Sequence, residues 1–460
     1  MPCGSNDGRW GGHRCLRCRM VHVKCDGRRP CRRCAQRGYI CCSPEKPANV
    51  VFVSCPARST VVPPQVFLPT DPCMFSNVFF NAIRCSLSPL VSVFSFDSIG
   101  AILDESKLVQ DVVFLVGKTY LLHMSHRRTY DLRESLHRLQ HQALNELNMP
   151  DTKVMTAGLV SSCLLSLVEL ILDGSAKGWR SLTGKIERLI SMYTDTTQTL
   201  PHLGRSFYWF ARISIAARAV CFGESLSMPP SALTCARSDM PSGNPLPSGV
   251  EENIALLAMH LESWAQLQSR VICWIKDSEE LYLKENRTET DINSRPLFRK
   301  EYSNLPFDHI MRGMEIVCCA SQLQRAIIAT VLSCTDSPLS SVEPSILSLL
   351  PYYQWSLAGL SRQFVHPAWT SLGCCLPMMP EDLIYQQAMQ AFAYAEGSLH
   401  NSADFEGLLY VPIMNIVGLE MKTAQERTRA LDFLTSLKTK GFAVAGKVEQ
   451  DLKKAWIGQA

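Results

Sequence analysis

Six cysteines between residues 15 and 41 follow the spacing Cys15-x2-Cys18-x6-Cys25-x5-Cys31-x2-Cys34-x6-Cys41, and eight of the positions between them are Arg or Lys. Two Cys-x2-Cys hooks place paired thiolates close enough to grip one tetrahedral Zn2+ each, with Zn–S bonds of about 2.3 Å. Two tetrahedral ions need eight bonds, and six thiolates supply eight only when two of them bridge both metals. The spacing therefore implies a cluster of two zinc ions and six sulfurs. Its formal charge is about −2, the sum of two dications and six thiolates, which attracts cations such as Arg17, Arg19, Lys24, Arg32 and Arg33 and leaves them facing outward. Cys41 and Cys42 compete for the last ligand position, and Cys41 gives the commoner gap.

A cysteine-rich tract has two further readings, the disulfide framework of a small secreted domain and a zinc module that binds protein instead of DNA. The opening MPCGSNDGRW has no apolar h-region, so a secretory signal, and with it the disulfide reading, is not expected. Charge weighs against the second. Residues 1–42 hold ten Arg plus Lys and two Asp, a net of +8, whereas the whole chain is only +4, so everything after residue 42 sums to −4. Positive charge concentrated in this way is the footprint of a phosphate-binding surface. Its cations would neutralise phosphates, while a few side chains at the groove would read sequence. Arg17, Arg19, Arg28 and Arg29 are the phosphate candidates, and His22 and Lys24 the base-reading candidates. A solvated cation balancing the cluster's charge is the alternative for each arginine.

The segment CLRCRMVHVKCDGRRPCRRCAQRGYIC resembles the fungal zinc binuclear cluster transcription factors. It shares their cysteine spacing, Arg19 after the second cysteine, Lys24 before the third, and the Cys25-Asp26-Gly27 and Pro30 positions of the loop. The resemblance implies that Cys15 and Cys31 bridge the metals, that the partner is double-stranded DNA carrying a GC-rich, CGG-like element, and that the protein works in the nucleus with the transcription machinery on RNA polymerase II genes. Many relatives govern pathway genes or gene clusters for nutrient use or secondary metabolism. The pattern departs at His22, where the family usually carries Lys at the end of the first short helix. A histidine donates to guanine N7 or O6 through one ring nitrogen but brings no permanent charge.

Positioning such a cluster needs little chain, and the composition changes after Cys42. Seven prolines occupy positions 44, 47, 56, 63, 64, 69 and 72. Each would cost about 3 kcal/mol inside a helix, so residues 44–75 read as a linker. No coiled coil can follow the cluster, which leaves open a single half-site or a homodimer made through the large domain. From residue 76 apolar residues recur with helical period. Leu132, Leu136, Leu139, Ala143 and Leu147 form one stripe, expected to dock on the domain's own core. The stretch from Leu159 to Leu172 reads as a buried helix stopping at Asp173-Gly174 and too short to span a bilayer; no membrane association is expected.

The next segment, GWRSLTGKIERLI, puts Trp179, Leu182, Ile186, Leu189 and Ile190 on one helix face. It resembles the W-x-x-H/L-x-x-G helix of the fungal-specific transcription factor domain, with Gly184 one position early. Tyr410-Val411-Pro412-Ile413, Gly418 and a Thr423-x-x-Glu426 capping box followed by Arg427 resemble that domain's closing segment. The polar tract from Lys276 to Lys300 reads as a surface loop or insertion and not as a domain boundary. Twelve cysteines after residue 42 lack hook spacing, and most are expected to be buried as small apolar residues.

Catalytic signatures are missing from the sequence: it holds no phosphate-binding loop, dinucleotide fingerprint, His-Glu-x-x-His pair or nucleophile elbow. His137 and His141, four apart on one helix, read as the polar outer face of the Leu132 helix. The expectation is an all-α chain that is not an enzyme, with a zinc binuclear cluster domain over 10–43, a linker over 44–75 and a helical regulatory domain over 76–460. Its function would be sequence-specific transcription regulation. A zinc-dependent regulator that binds protein and not DNA is the alternative.

Overall fold

The computed structural model describes residues 25, 26, 28, 31–37, 72–83, 88–124, 130–191, 200–227, 250–288, 305–335, 348–401 and 404–458. The chain divides into two compact units, Met1–Leu68 and Pro69–Ala460. The described residues form helices and no strand, as the all-α expectation requires. In the first unit the described helix is α1, Arg32–Gln36.

The second unit opens with α2 (Pro72–Ile83), α3 (Pro89–Ser92), α4 (Phe96–Glu105), α5 (Lys107–Met124) and α6 (Tyr130–Leu147). Helix α2 begins four residues before position 76, with a proline at its first position, where the missing N–H has no intrahelical partner to lose. It lies against α5 at close range. A Cβ on Gly117 of α5 would sit 1.9 Å from the Phe75 carbonyl oxygen, so only glycine permits this approach. The stripe Leu132, Leu136, Leu139, Ala143 and Leu147 is buried on α6. On its other face His137 and His141 are exposed.

Helix α7 (Thr152–Leu172) is the core of this half, packed by α5, α6, α8 (Lys177–Ile190) and α9 (His202–Phe222). Asp151 caps it, accepting from the backbone amides of Lys153 at 2.8 Å and Val154 at 3.3 Å, and Asp173 ends it. At 21 residues it is longer than the apolar stretch suggests and long enough to cross a bilayer, but its apolar window is 89% buried within the fold. Phe307–Leu332 also has the length and composition of a span, with a window only 28% buried.

The remaining helices are α10 (Val250–Thr288), α11 (Phe307–Thr335), α12 (Leu350–Arg362), α13 (Glu381–Asn401), α14 (Asp404–Leu409), α15 (Val411–Val417), α16 (Ala424–Thr439) and α17 (Val444–Gly458). The tract starting at Lys276 was expected to be a loop, but it continues α10 as far as Thr288. Its Ser278 is buried, with its hydroxyl 2.8 Å from the Trp274 carbonyl and 2.7 Å from His309 Nε2 on α11. This polar segment therefore has a buried partner on α11. The capping box of Thr423 and Glu426 at the start of α16 forms as its spacing predicts. The cysteine expectation is corrected: of the described thiols beyond residue 42, Cys163 is buried, whereas Cys273, Cys318 and Cys375 are exposed. Helical period alone does not say which face of α10 or α11 is covered.

Helix α9 joins the halves, packing on α7, α8 and α10. It carries two buried arginines. Arg212 forms a bidentate pair with Glu262 of α10 and donates to the Tyr208 hydroxyl at 2.7 Å. Burial draws the Arg212 pKa down, but the hydrogen bonds and charge of Glu262 outweigh it, so the guanidinium stays charged. Burial pushes Glu262 up despite that pull. Arg218 pairs with Glu187 of α8, and a Cβ on Gly184 would lie 2.8 Å from its Nη1.

Removing one partner of a buried pair leaves an uncompensated charge, which costs about 3–5 kcal/mol, whereas replacing both by apolar residues of similar volume is often neutral. Glu262→Leu is expected to destabilise the fold by about that amount in chemical denaturation, and Arg212→Met combined with Glu262→Leu to recover most of the loss.

Candidate metal centre

The described part of the first unit is the turn between the third and fourth cysteines and the helix after it. Cys31 is the N-cap of α1, and its Sγ accepts from the Cys34 backbone amide at 3.4 Å. A Cys-x2-Cys pair at a helix start puts both side chains on one face, three residues apart, and the helix N-terminus favours negative charge there. Both sulfur-bearing residues are buried, Cys31 at 0% exposure and Cys34 at 1%.

Asp26 closes the turn. One carboxylate oxygen accepts from the Arg32 amide at 3.0 Å and the other from the Arg28 amide at 3.2 Å. The Arg32 amide is the main cause of a carboxyl pKa below the ordinary aspartate value. As a result Cys25 Sγ, Cys31 Sγ and an Asp26 oxygen all lie within 4.8 Å of one another. Two sulfurs bound to one tetrahedral zinc at about 2.3 Å each are about 3.8 Å apart, and the third and fourth cysteines lie within 4.8 Å of each other, close enough for a shared metal to draw together. Asp26 accepts a backbone amide with each of its oxygens and so serves as the fastener of the turn. Its spacing from Arg28 and Arg32 was in the sequence, but nothing there distinguished a fastener from a solvated acid.

The cations surround this core from outside. Arg28, Arg32, Arg33 and Arg37 are exposed, which agrees with the outward placement expected of Arg32 and Arg33 and leaves the Arg28 side chain available to phosphate. Cys15, Cys18 and Cys41 among the ligand candidates, and Arg17, Arg19, His22, Lys24 and Arg29 among the base- and phosphate-contact candidates, lie outside the described residues.

Comparison with known proteins agrees with this chemistry. Residues 13–49 match the model of the fungal Zn(2)-Cys(6) binuclear cluster domain. No curated protein and no solved structure matches the chain. The matched family consists of transcription factors, not enzymes. Its domain binds two zinc ions, and the neighbouring thiols of Cys25 and Cys31 are donors that suit that metal.

Groups that orient metal ligands without touching the metal are worth about 10–100-fold in affinity. Asp26→Ala is expected to lower zinc affinity by about that factor in competition with a chromogenic chelator, with two ions still bound at saturation. The Cys-x2-Cys turn at a helix start, closed by an aspartate and ringed by exposed arginines, belongs to a zinc binuclear cluster of the fungal Zn(2)-Cys(6) type, and the chain that carries it is a DNA-binding transcription factor.

Proposed function

We propose that this chain is a sequence-specific regulator of RNA polymerase II genes that acts in the nucleus. Cys15, Cys18, Cys25, Cys31, Cys34 and Cys41 are its six zinc ligands, with Cys15 and Cys31 bridging. The observation that carries the reading is the coincidence of the six-cysteine spacing with a net charge of +8 over residues 1–42, against −4 for the rest. Arg17, Arg19, Arg28 and Arg29 hold phosphates, and His22 and Lys24 face the bases of a short GC-rich element. Neutralised phosphates release counterions, so affinity falls steeply with salt. The helical unit over 76–460, which resembles the fungal-specific transcription factor domain, modulates activity, and the targets are genes of one pathway or gene cluster.

Because thiolate ligands and fold are coupled, Cys18→Ala and Cys34→Ala in the full chain are each expected to lose zinc and duplex binding together, measured by elemental analysis and by fluorescence anisotropy at low ionic strength. Undiminished DNA binding by either variant would sink the proposal. So would a zinc-loaded wild-type protein that ignores DNA, and that outcome would favour a protein-binding zinc module.

Histidine reads guanine without permanent charge. His22→Lys is therefore expected to change the selected triplet more than the nonspecific affinity. Binding-site selection on both proteins checks this, and identical motifs would remove His22 from the readout.

A further inference from the structure

The second unit encloses a chamber of about 670 Å3 where four segments distant in sequence converge: the turn into α8, the end of α9, α15 and α17. Its body is apolar, built from Leu170, Phe222, Val411, Pro412, Val448 and Leu452. Protein interiors retain few voids larger than a water molecule, whereas small-molecule sites are apolar hollows of roughly 300–1,000 Å3 with a few placed polar groups.

Polar groups are placed here in that manner. Trp179 lines the chamber through its ring and is 5% exposed, while its Nε1–H is buried out of reach of the chamber space. Cys221, also on the wall, donates its thiol to the Pro412 carbonyl at 3.8 Å, and burial pushes its pKa up to about 12, so it stays a neutral wall group. At the mouth the exposed Lys177 has no carboxylate partner among the described residues, whereas Lys447 is paired with Asp451 and Arg180 with Glu224.

The wall at Trp179 is held rigidly. Ala176 has φ of 56°, the one non-glycine residue in the left-handed region among those described. Asp173 fixes the turn around it, accepting from Ser175 N at 2.9 Å, Ser175 Oγ at 2.7 Å and Gly178 N at 3.2 Å. Such conformations persist where the surroundings over-determine them, and they cluster at ligand sites.

A second hollow, of about 540 Å3, is lined by Trp264, Gln268, Arg362, Gln363 and Glu420. Its Trp264 Nε1, Gln268 Oε1 and Gln363 Oε1 are buried without partners among the described residues, and a hollow with polar walls of this kind suits ordered water better than hydrocarbon.

We propose that the chamber beside Trp179 binds a small, mainly apolar molecule with a carboxylate at one end. The hydrocarbon packs against the Trp179 ring, Phe222, Val448 and Leu452, and Lys177 at the mouth pairs with the carboxylate. The site is built wholly from second-unit residues, and its test makes no use of DNA.

Isothermal titration of the full chain with decanoate and with 2-decanone tests it. Saturable binding of one molecule per chain is expected for both, tighter for decanoate. Lys177→Met should weaken decanoate severalfold, to about the affinity of 2-decanone, while leaving 2-decanone and the thermal midpoint near wild type. Ala455→Trp, which fills the chamber from α17, should abolish binding of both, and Lys177→Met carries the test if that variant fails to fold. No saturable binding of either probe by the wild-type protein overturns the proposal, as does binding that both folded variants leave unchanged.

Discussion

A segment of some 40 residues dominated by cations cannot bury enough apolar surface to hold itself folded, and the zinc–thiolate bonds take over that role. Structural zinc contributes about 10–16 kcal/mol of apparent binding free energy in peptides of this size, and that energy is folding energy. Everything the N-terminal unit does follows from this dependence. Asp26 draws the amides of Arg28 and Arg32 into the same turn that carries Cys25 and Cys31. The metal site and part of the cationic surface therefore share one backbone, and the side chains of Arg28 and Arg32 start from fixed points. Binding metal and presenting charge are one event here.

The second unit solves the opposite problem, having apolar surface in excess and needing a unique arrangement of it. Hydrophobic burial is non-directional, and helices as uniformly apolar as α7 give little instruction about rotation or depth. The buried pairs of α9 supply it. Arg212 reaches Glu262 on α10, and Arg218 reaches Glu187 on α8. A buried ion pair adds little net stability, but each of these is satisfied only in one register. Gly184 is the complement of this device, because the guanidinium of Arg218 lies where a side chain would be.

Much of this was legible in the sequence, and the parts that were not share a cause. Cysteine spacing identified the cluster because valence and hook geometry leave few options. The Leu132 stripe, the end of α7 at Asp173 and the capping box at Thr423 were legible because each is a local pattern with a local mechanism. The polar stretch after Lys276 reads as a loop from composition, whereas in the fold it continues α10 and its Ser278 meets His309, a contact 31 residues away that leaves no periodic trace. Exposed Cys318 and Cys375 were misread for a related reason, since composition shows that a thiol can be buried but not whether a neighbour arrives to cover it. The pairing of Arg212 with Glu262 spans 50 residues and is likewise invisible along the chain.

The same long-range logic gives the Trp179 helix its significance. In the sequence it was one more amphipathic segment with a glycine slightly out of place; in the fold its first turn meets the last helix of the chain across the chamber. Helix α17 is fastened by the Trp456 indole donating to the Gly418 carbonyl at 3.0 Å, with Arg427 over the Trp456 ring, and Leu452 packs where a Gly418 side chain would be. A molecule in the chamber would touch α8, α9, α15 and α17 together. Ligands shift conformational equilibria only through differential affinity, and a site whose walls come from four separate segments has that property by construction: it exists as a whole only while those segments stay docked.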